Sequence, residues 1–77
     1  MRVTLYTLAS CSHCARAREI LRAAGAELDE RPLDGDPGLR RRLQRELGRD
    51  AYPLALIDGE LVGGLDEIER RARARPD

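Results

Sequence analysis

Two cysteines with two residues between them, Cys11-Ser12-His13-Cys14, stand between a strand-like run and a helix-like one. Before them, Val3-Thr4-Leu5-Tyr6-Thr7 is β-branched and aromatic, with Val3, Leu5 and Thr7 on one face and Thr4 and Tyr6 on the other. After them, Ala17, Ile20, Leu21 and Ala24 recur at helical spacing. This succession puts a sulfur at the first turn of a helix. There it faces unpaired backbone N–H groups and the positive end of the macrodipole, which favour thiolate over thiol. The thiolate is the form that attacks disulfides. With two intervening residues the second thiol reaches the first, so a mixed disulfide on Cys11 can be resolved by Cys14. Cys11 is the expected nucleophile and Cys14 the expected resolver.

The remaining composition narrows the setting of that pair. Seventy-seven residues suit one small domain spanning residues 1–77, and with only two aromatic side chains, Tyr6 and Tyr52, its core must be aliphatic. Fourteen basic residues, all Arg, balance fourteen acidic ones, so no excess positive field points to nucleic acid. The run after Met1-Arg2 is too short and too mixed for a signal-peptide core or a membrane span, and the expected location is cytoplasmic, without membrane contact. In a reducing cytosol, a lone close pair of cysteines favours a catalytic or metal-binding reading over a structural disulfide.

Further along, Gly25 stops the first helix, and residues 26–33 alternate as a weaker strand, placed at a sheet edge by Pro32. Asp36-Pro37 is an N-cap and first helical position, opening a helix to Leu47 with Leu39, Leu43 and Leu47 as its apolar stripe. Arg40, Arg41, Arg42 and Arg45 read as its solvated face. Residues 53–57 and Leu61-Val62 form two strands joined by Asp58-Gly59, a strong hairpin signal. Gly63-Gly64 breaks the second of these, and Asp66 is expected to cap a last helix that carries Leu65, Ile68 and Ala72 inward. The fold class is therefore α/β in the order βαβαββα. A right-handed parallel βαβ unit extended by an antiparallel hairpin gives a four-stranded mixed sheet flanked by three helices.

This pattern resembles the glutaredoxin branch of the thioredoxin-like superfamily nearly end to end. Leu5-Tyr6-Thr7 ahead of the cysteine motif, Leu33-Asp34-Gly35, Gly48-Arg49 before Tyr52-Pro53, and Gly63-Gly64-Leu65-Asp66 carry the likeness in order. The resemblance implies a dithiol thiol–disulfide oxidoreductase that reduces protein disulfides or glutathione mixed disulfides. Glutathione is then the co-substrate, no cofactor is tightly bound, and the protein acts as a monomer. It further implies a cis Tyr52-Pro53 bond, with the Tyr52 backbone pairing to a bound substrate as a short ladder. The γ-glutamyl end of glutathione would lie at Gly64, Leu65 and Asp66, where free N–H groups suit a carboxylate. A proline starting a strand, and an ordinary glycine loop with an Asp cap, explain the same residues without a ligand.

Three departures from the family pattern bear on function. Cys-Pro-Tyr-Cys is Cys11-Ser12-His13-Cys14 here, Leu8 and Ala9 replace a basic residue before the first cysteine, and Ala51-Tyr52 replaces Thr-Val before the proline. Arg49 or Arg40 would have to supply the missing cation for the glycine carboxylate of glutathione. His13 is either an exposed loop residue or, as imidazolium, a further support for a thiolate. The rival within redox chemistry is a redoxin reduced directly by thioredoxin reductase or by another low-molecular-weight thiol. A metal carrier using Cys11, His13 and Cys14 would lack a fourth ligand, since the chain has no other Cys or His. An iron–sulfur dimer with one Cys11 per subunit is the third reading.

Overall fold

The computed structural model describes residues 1–48 and 52–74, apart from the side chain of Leu47. Seven elements follow in order: β1 (Arg2–Thr7), α1 (Ser12–Ala23), β2 (Glu27–Pro32), α2 (Pro37–Leu47), β3 (Leu54–Ile57), β4 (Glu60–Gly63) and α3 (Leu65–Arg73). They build one four-stranded sheet in the spatial order β2-β1-β3-β4. β1 and β2 are parallel, with Val3 opposite Leu28 and Leu5 opposite Glu30. β3 runs antiparallel to β1 and β4 antiparallel to β3. This is the mixed sheet and the βαβαββα order that the sequence predicts.

Alternation along β1 decides which helix covers which face. Val3 and Leu5, with Ala55 and Ile57 of β3 and Val62 of β4, point to one side, where Ala17 and Leu21 of α1 and Ile68 of α3 complete the main core. The opposite side carries a smaller cluster of Leu33, Leu43 and Leu54, against which Tyr6, Leu8, Leu39 and Tyr52 pack in part. The second cluster therefore lies at the end of the sheet that bears the cysteine loop. Leu5, Leu21 and Ile68 have no solvent exposure. Burying such a side chain stabilises a fold by about 1.5 to 3 kcal/mol, a large share of the few kcal/mol that a chain this short retains.

Local signals set the element ends. The N–H of Ala26 bonds to the Leu21 carbonyl at 3.1 Å and that of Gly25 to the Arg22 carbonyl at 3.0 Å, a Schellman closure that needs the positive φ of 78° at Gly25. Asp36 caps α2 through the Leu39 N–H at 3.1 Å. The hairpin turn has φ of 47° at Asp58 and 89° at Gly59, as a type I′ turn requires. Several boundaries differ from expectation: β2 is shorter by a residue at each end, and β4 includes Gly63, so the break falls at Gly64. Pro53 precedes β3 instead of opening it, in keeping with its missing donor. The Asp66 cap is a correction: α3 begins at Leu65 with Gly64 as its N-cap, so Asp66 lies inside the first turn. Gly64 adopts φ 87° and ψ 150°, a conformation open to glycine, and this turns the chain into the helix two residues earlier.

Candidate active site

The loop between β1 and α1 is held at both ends before any chemistry is considered. The Leu33 N–H donates to the Thr7 carbonyl at 2.8 Å, prolonging the parallel ladder past β2, and the Ala9 N–H donates to Asp34 Oδ2 at 2.9 Å. Leu8 packs into the smaller apolar cluster, and its carbonyl accepts the Cys11 N–H at 3.1 Å. This fastening fixes where α1 starts. Asp34 belongs to the Leu33-Asp34-Gly35 segment, but its role as an anchor of the cysteine loop was not legible, because a carboxylate reaching 25 residues back leaves no local pattern.

Cys11 is the N-cap of α1. Its backbone is extended, at φ −93° and ψ 106°, and its sulfur accepts the N–H of Cys14 at 3.2 Å. That is the geometry by which Asn, Asp or Ser usually caps a helix, here performed by Sγ. Cys11 remains partly exposed, whereas Cys14, one turn inside, is 2 % exposed. Burial is the main reason that the Cys14 thiol is pushed up to about 12, with its hydrogen bond to Cys11 adding to the effect. The Leu8 backbone and the nearby Arg18 charge act in the opposite direction. An accessible sulfur at a helix start and a protonated, buried sulfur beside it form an asymmetric pair suited to attack by the first and resolution by the second.

The other predicted residues fall into two groups around this pair. On the α3 side, His13 is exposed and lines, with Gly63, Gly64, Leu65, Asp66 and Glu67, an open depression of about 510 Å³. No side-chain hydrogen bond caps α3 at Gly64, and the residues of its first turn, including the acidic Asp66 and Glu67, line this depression. The Gly64 N–H donates to the Pro53 carbonyl at 2.9 Å, which ties the start of α3 to the segment before β3. On the α2 side, the Tyr52-Pro53 bond is cis, as the resemblance implied. The Arg40 guanidinium lies 5.6 Å from the centre of the Tyr52 ring, within cation–π range. The structure thus joins His13 to Gly64, Leu65 and Asp66, and Tyr52 to Arg40. Arg49 lies outside the described residues.

A second feature absent from the sequence reading sits behind Cys14. Arg18 on α1 makes a two-pronged ion pair with Glu30 on β2, through Nε to Oε1 and through Nη2 to Oε2 at 2.8 Å. Both side chains are about 30 % exposed, and the guanidinium holds the Glu30 carboxyl below its usual range. The alternation that turns Leu28 inward also turns Glu30 towards α1, and Arg18 follows Cys14 by one helical turn. Only the parallel register of β1 and β2 shows that the two meet. Among the described residues, no cluster of three or more His, Cys, Asp or Glu has metal-binding geometry.

Comparison with known proteins places this arrangement in a family. The glutaredoxin family model matches residues 3–62. The chain belongs to the glutaredoxin family. A glutaredoxin of Pseudomonas aeruginosa is 38 % identical over 72 residues, spanning 94 % of this chain and 86 % of that protein. The solution structure of a glutaredoxin from Brucella melitensis superposes with a TM-score of 0.77 at 36 % identity, covering 91 % of this chain and 76 % of the other. The glutaredoxin-like NrdH-redoxin from Escherichia coli matches in fold, with a TM-score of 0.79 at 22 % identity over 100 % and 99 % of the two chains. Family membership and the Cys11/Cys14 pair together make this glutaredoxin a thiol–disulfide oxidoreductase.

Proposed function

We propose that this glutaredoxin is a dithiol enzyme that reduces protein disulfides or glutathione mixed disulfides, with glutathione as co-substrate. The observation that carries the reading is the asymmetry of the pair: Cys11 is partly exposed at a helix N-cap and Cys14 is buried one turn inside. In the forward reaction the Cys11 thiolate attacks the substrate disulfide and expels one thiolate, leaving a mixed disulfide. Cys14 then attacks Cys11 Sγ, releases the second thiol and closes the Cys11–Cys14 disulfide. Two glutathione molecules reopen it in two exchanges and leave as glutathione disulfide.

Recognition of glutathione is assigned to the depression beside His13. Its γ-glutamyl carboxylate would take the uncapped N–H groups at Leu65 and Asp66, with Gly64 allowing close approach. Tyr52 and Pro53 would align the tripeptide backbone. Arg40, held over the Tyr52 ring, is the described candidate for the glycine carboxylate that the missing basic residue before Cys11 would otherwise meet. Arg49 is the other candidate, from the sequence. The protein is proposed to act as a cytoplasmic monomer of one domain, on disulfide-containing proteins.

A second reading is favoured by Leu8, which turns into the apolar cluster where the family pattern places a cation near the first cysteine. A redoxin driven by thioredoxin reductase does not need that cation, and the Escherichia coli NrdH-redoxin of the same fold is described as having a thioredoxin-like activity profile. Turnover of a disulfide substrate with glutathione and glutathione reductase, set against turnover with thioredoxin reductase, separates the two. Faster turnover in the glutathione arm supports the proposal. Turnover confined to the thioredoxin reductase arm would replace it with the second reading.

A further inference from the structure

We propose that Arg18, held by Glu30, is a positioning residue for the resolving step, a cation fixed one helical turn behind Cys14 that supports the thiolate this buried thiol must become. The inference rests on the reading of Cys14 as the resolver. In that step the Cys14 S–H loses its proton, the sulfur attacks Cys11 Sγ, the bond from Cys11 to the substrate sulfur breaks, and the departing thiolate takes up a proton. One disulfide is exchanged for another, so no further oxidant or reductant is required.

Geometry supplies the reason. Cys14 is 2 % exposed, so water cannot stabilise its thiolate. The residues four apart on α1 lie on one helix face, roughly 5 to 6 Å apart at Cβ. Arg18 is the cation at that position, and a free Arg side chain would extend into solvent. Here its guanidinium is anchored to β2 by two bonds to Glu30, with both side chains about 30 % exposed. The charged groups around Cys14 are Cys11, Arg18 and, behind Arg18, Glu30 with Arg22 in its field. Across the loop, His13, Asp66 and Glu67 line the depression on the α3 side. Once Cys11 is tied up in a mixed disulfide its own negative charge is gone, and among the described residues the Arg18 cation is left as the side-chain charge favouring Cys14 ionisation. Glu30 damps that field and also fixes its source, which is why the pair acts as a unit.

The test is stopped-flow reaction of the reduced protein with dithiobis-nitrobenzoate. Attack by Cys11 gives a first, concentration-dependent release of the coloured thiolate, and intramolecular attack by Cys14 gives a second release that does not depend on concentration. Arg18→Met should leave the first phase unchanged and slow the second about threefold to tenfold near neutral pH, the scale for losing one partly screened charge at this range. Its pH profile should move to higher pH, and Arg18→Lys should restore most of the rate. The Arg18→Met/Glu30→Met variant replaces the ion pair by apolar contact and controls for folding, and it should resolve slowly even where its urea stability matches the parent. An unchanged second phase in both Met variants, or equal slowing in Arg18→Lys, would overturn the assignment. A second phase that survives Cys14→Ser would instead refute the underlying reading of Cys14 as resolver.

Discussion

The high proton affinity of Cys14 should appear as a pH dependence of stability. A thiol pushed up to about 12 in the folded state keeps its proton where the unfolded chain, with the ordinary value of 9.0, has released it. The unfolded state then binds fewer protons than the native state, so stability falls as pH rises above about 9 and goes on falling until the folded thiol itself ionises near 12. Between pH 7.5 and 10.5 the unfolded thiol gains about 1.5 pH units of ionisation that the folded one does not share. At 1.36 kcal/mol per unit this amounts to about 2 kcal/mol. Urea unfolding of the reduced protein at several pH values, compared with Cys14→Ala, isolates the term apart from the adjacent Cys11, whose sulfur interacts with Cys14 in the native fold. The wild type should lose about 2 kcal/mol more than the variant across that interval. In a Cys11→Ser background the loss should keep its sign and shrink, since burial then raises the Cys14 thiol without the contribution of Cys11. Parallel stability curves for wild type and Cys14→Ala would refute the claim that burial holds this thiol protonated.

The remaining expectations concern the scaffold and the ligand. Leu21→Ala removes a fully buried side chain between α1 and the sheet and should cost about 2 to 5 kcal/mol in urea unfolding, enough to leave much of the chain unfolded. Gly64→Ala meets no neighbouring atom within 4 Å, so its expected cost of about 1 to 3 kcal/mol comes from the backbone conformation alone, and crystallography of the variant should show the helix start displaced. Cys14→Ser should trap glutathione on Cys11, and NMR shift mapping of the adduct should move His13, Gly64, Leu65 and Asp66. Perturbation confined to the cysteine loop would mean that the tripeptide is tethered there without being recognised.

Much of this architecture was legible because the informative signals are local. The alternation in Val3 to Thr7, the Gly25 and Gly48 stops, Asp36-Pro37 and Asp58-Gly59 each specify a backbone state within a few residues, and each appears where expected. The positions of Cys11 at the helix start and of Cys14 one turn inside, on which their proposed roles rest, were legible in the same way. Asp66 misled because an Asp after a glycine pair reads as a cap, whereas the φ of 87° at Gly64 starts the helix without any side chain. What the sequence hides are contacts that depend on register or on loop closure: Asp34 on the Ala9 N–H, Arg18 on Glu30, and Arg40 over Tyr52. His13 likewise shows no partner in sequence, and only the approach of α3 to the cysteine loop places it beside Gly64.

The division of labour between the two sulfurs is open to one direct measurement. The reduced protein is treated at neutral pH with less than one equivalent of iodoacetamide, digested, and the label located by mass spectrometry. Partial exposure of Cys11 at the head of α1 and burial of Cys14 behind it predict label on Cys11, with Cys14 modified only after denaturation. Label appearing first on Cys14 in the native protein would contradict the account.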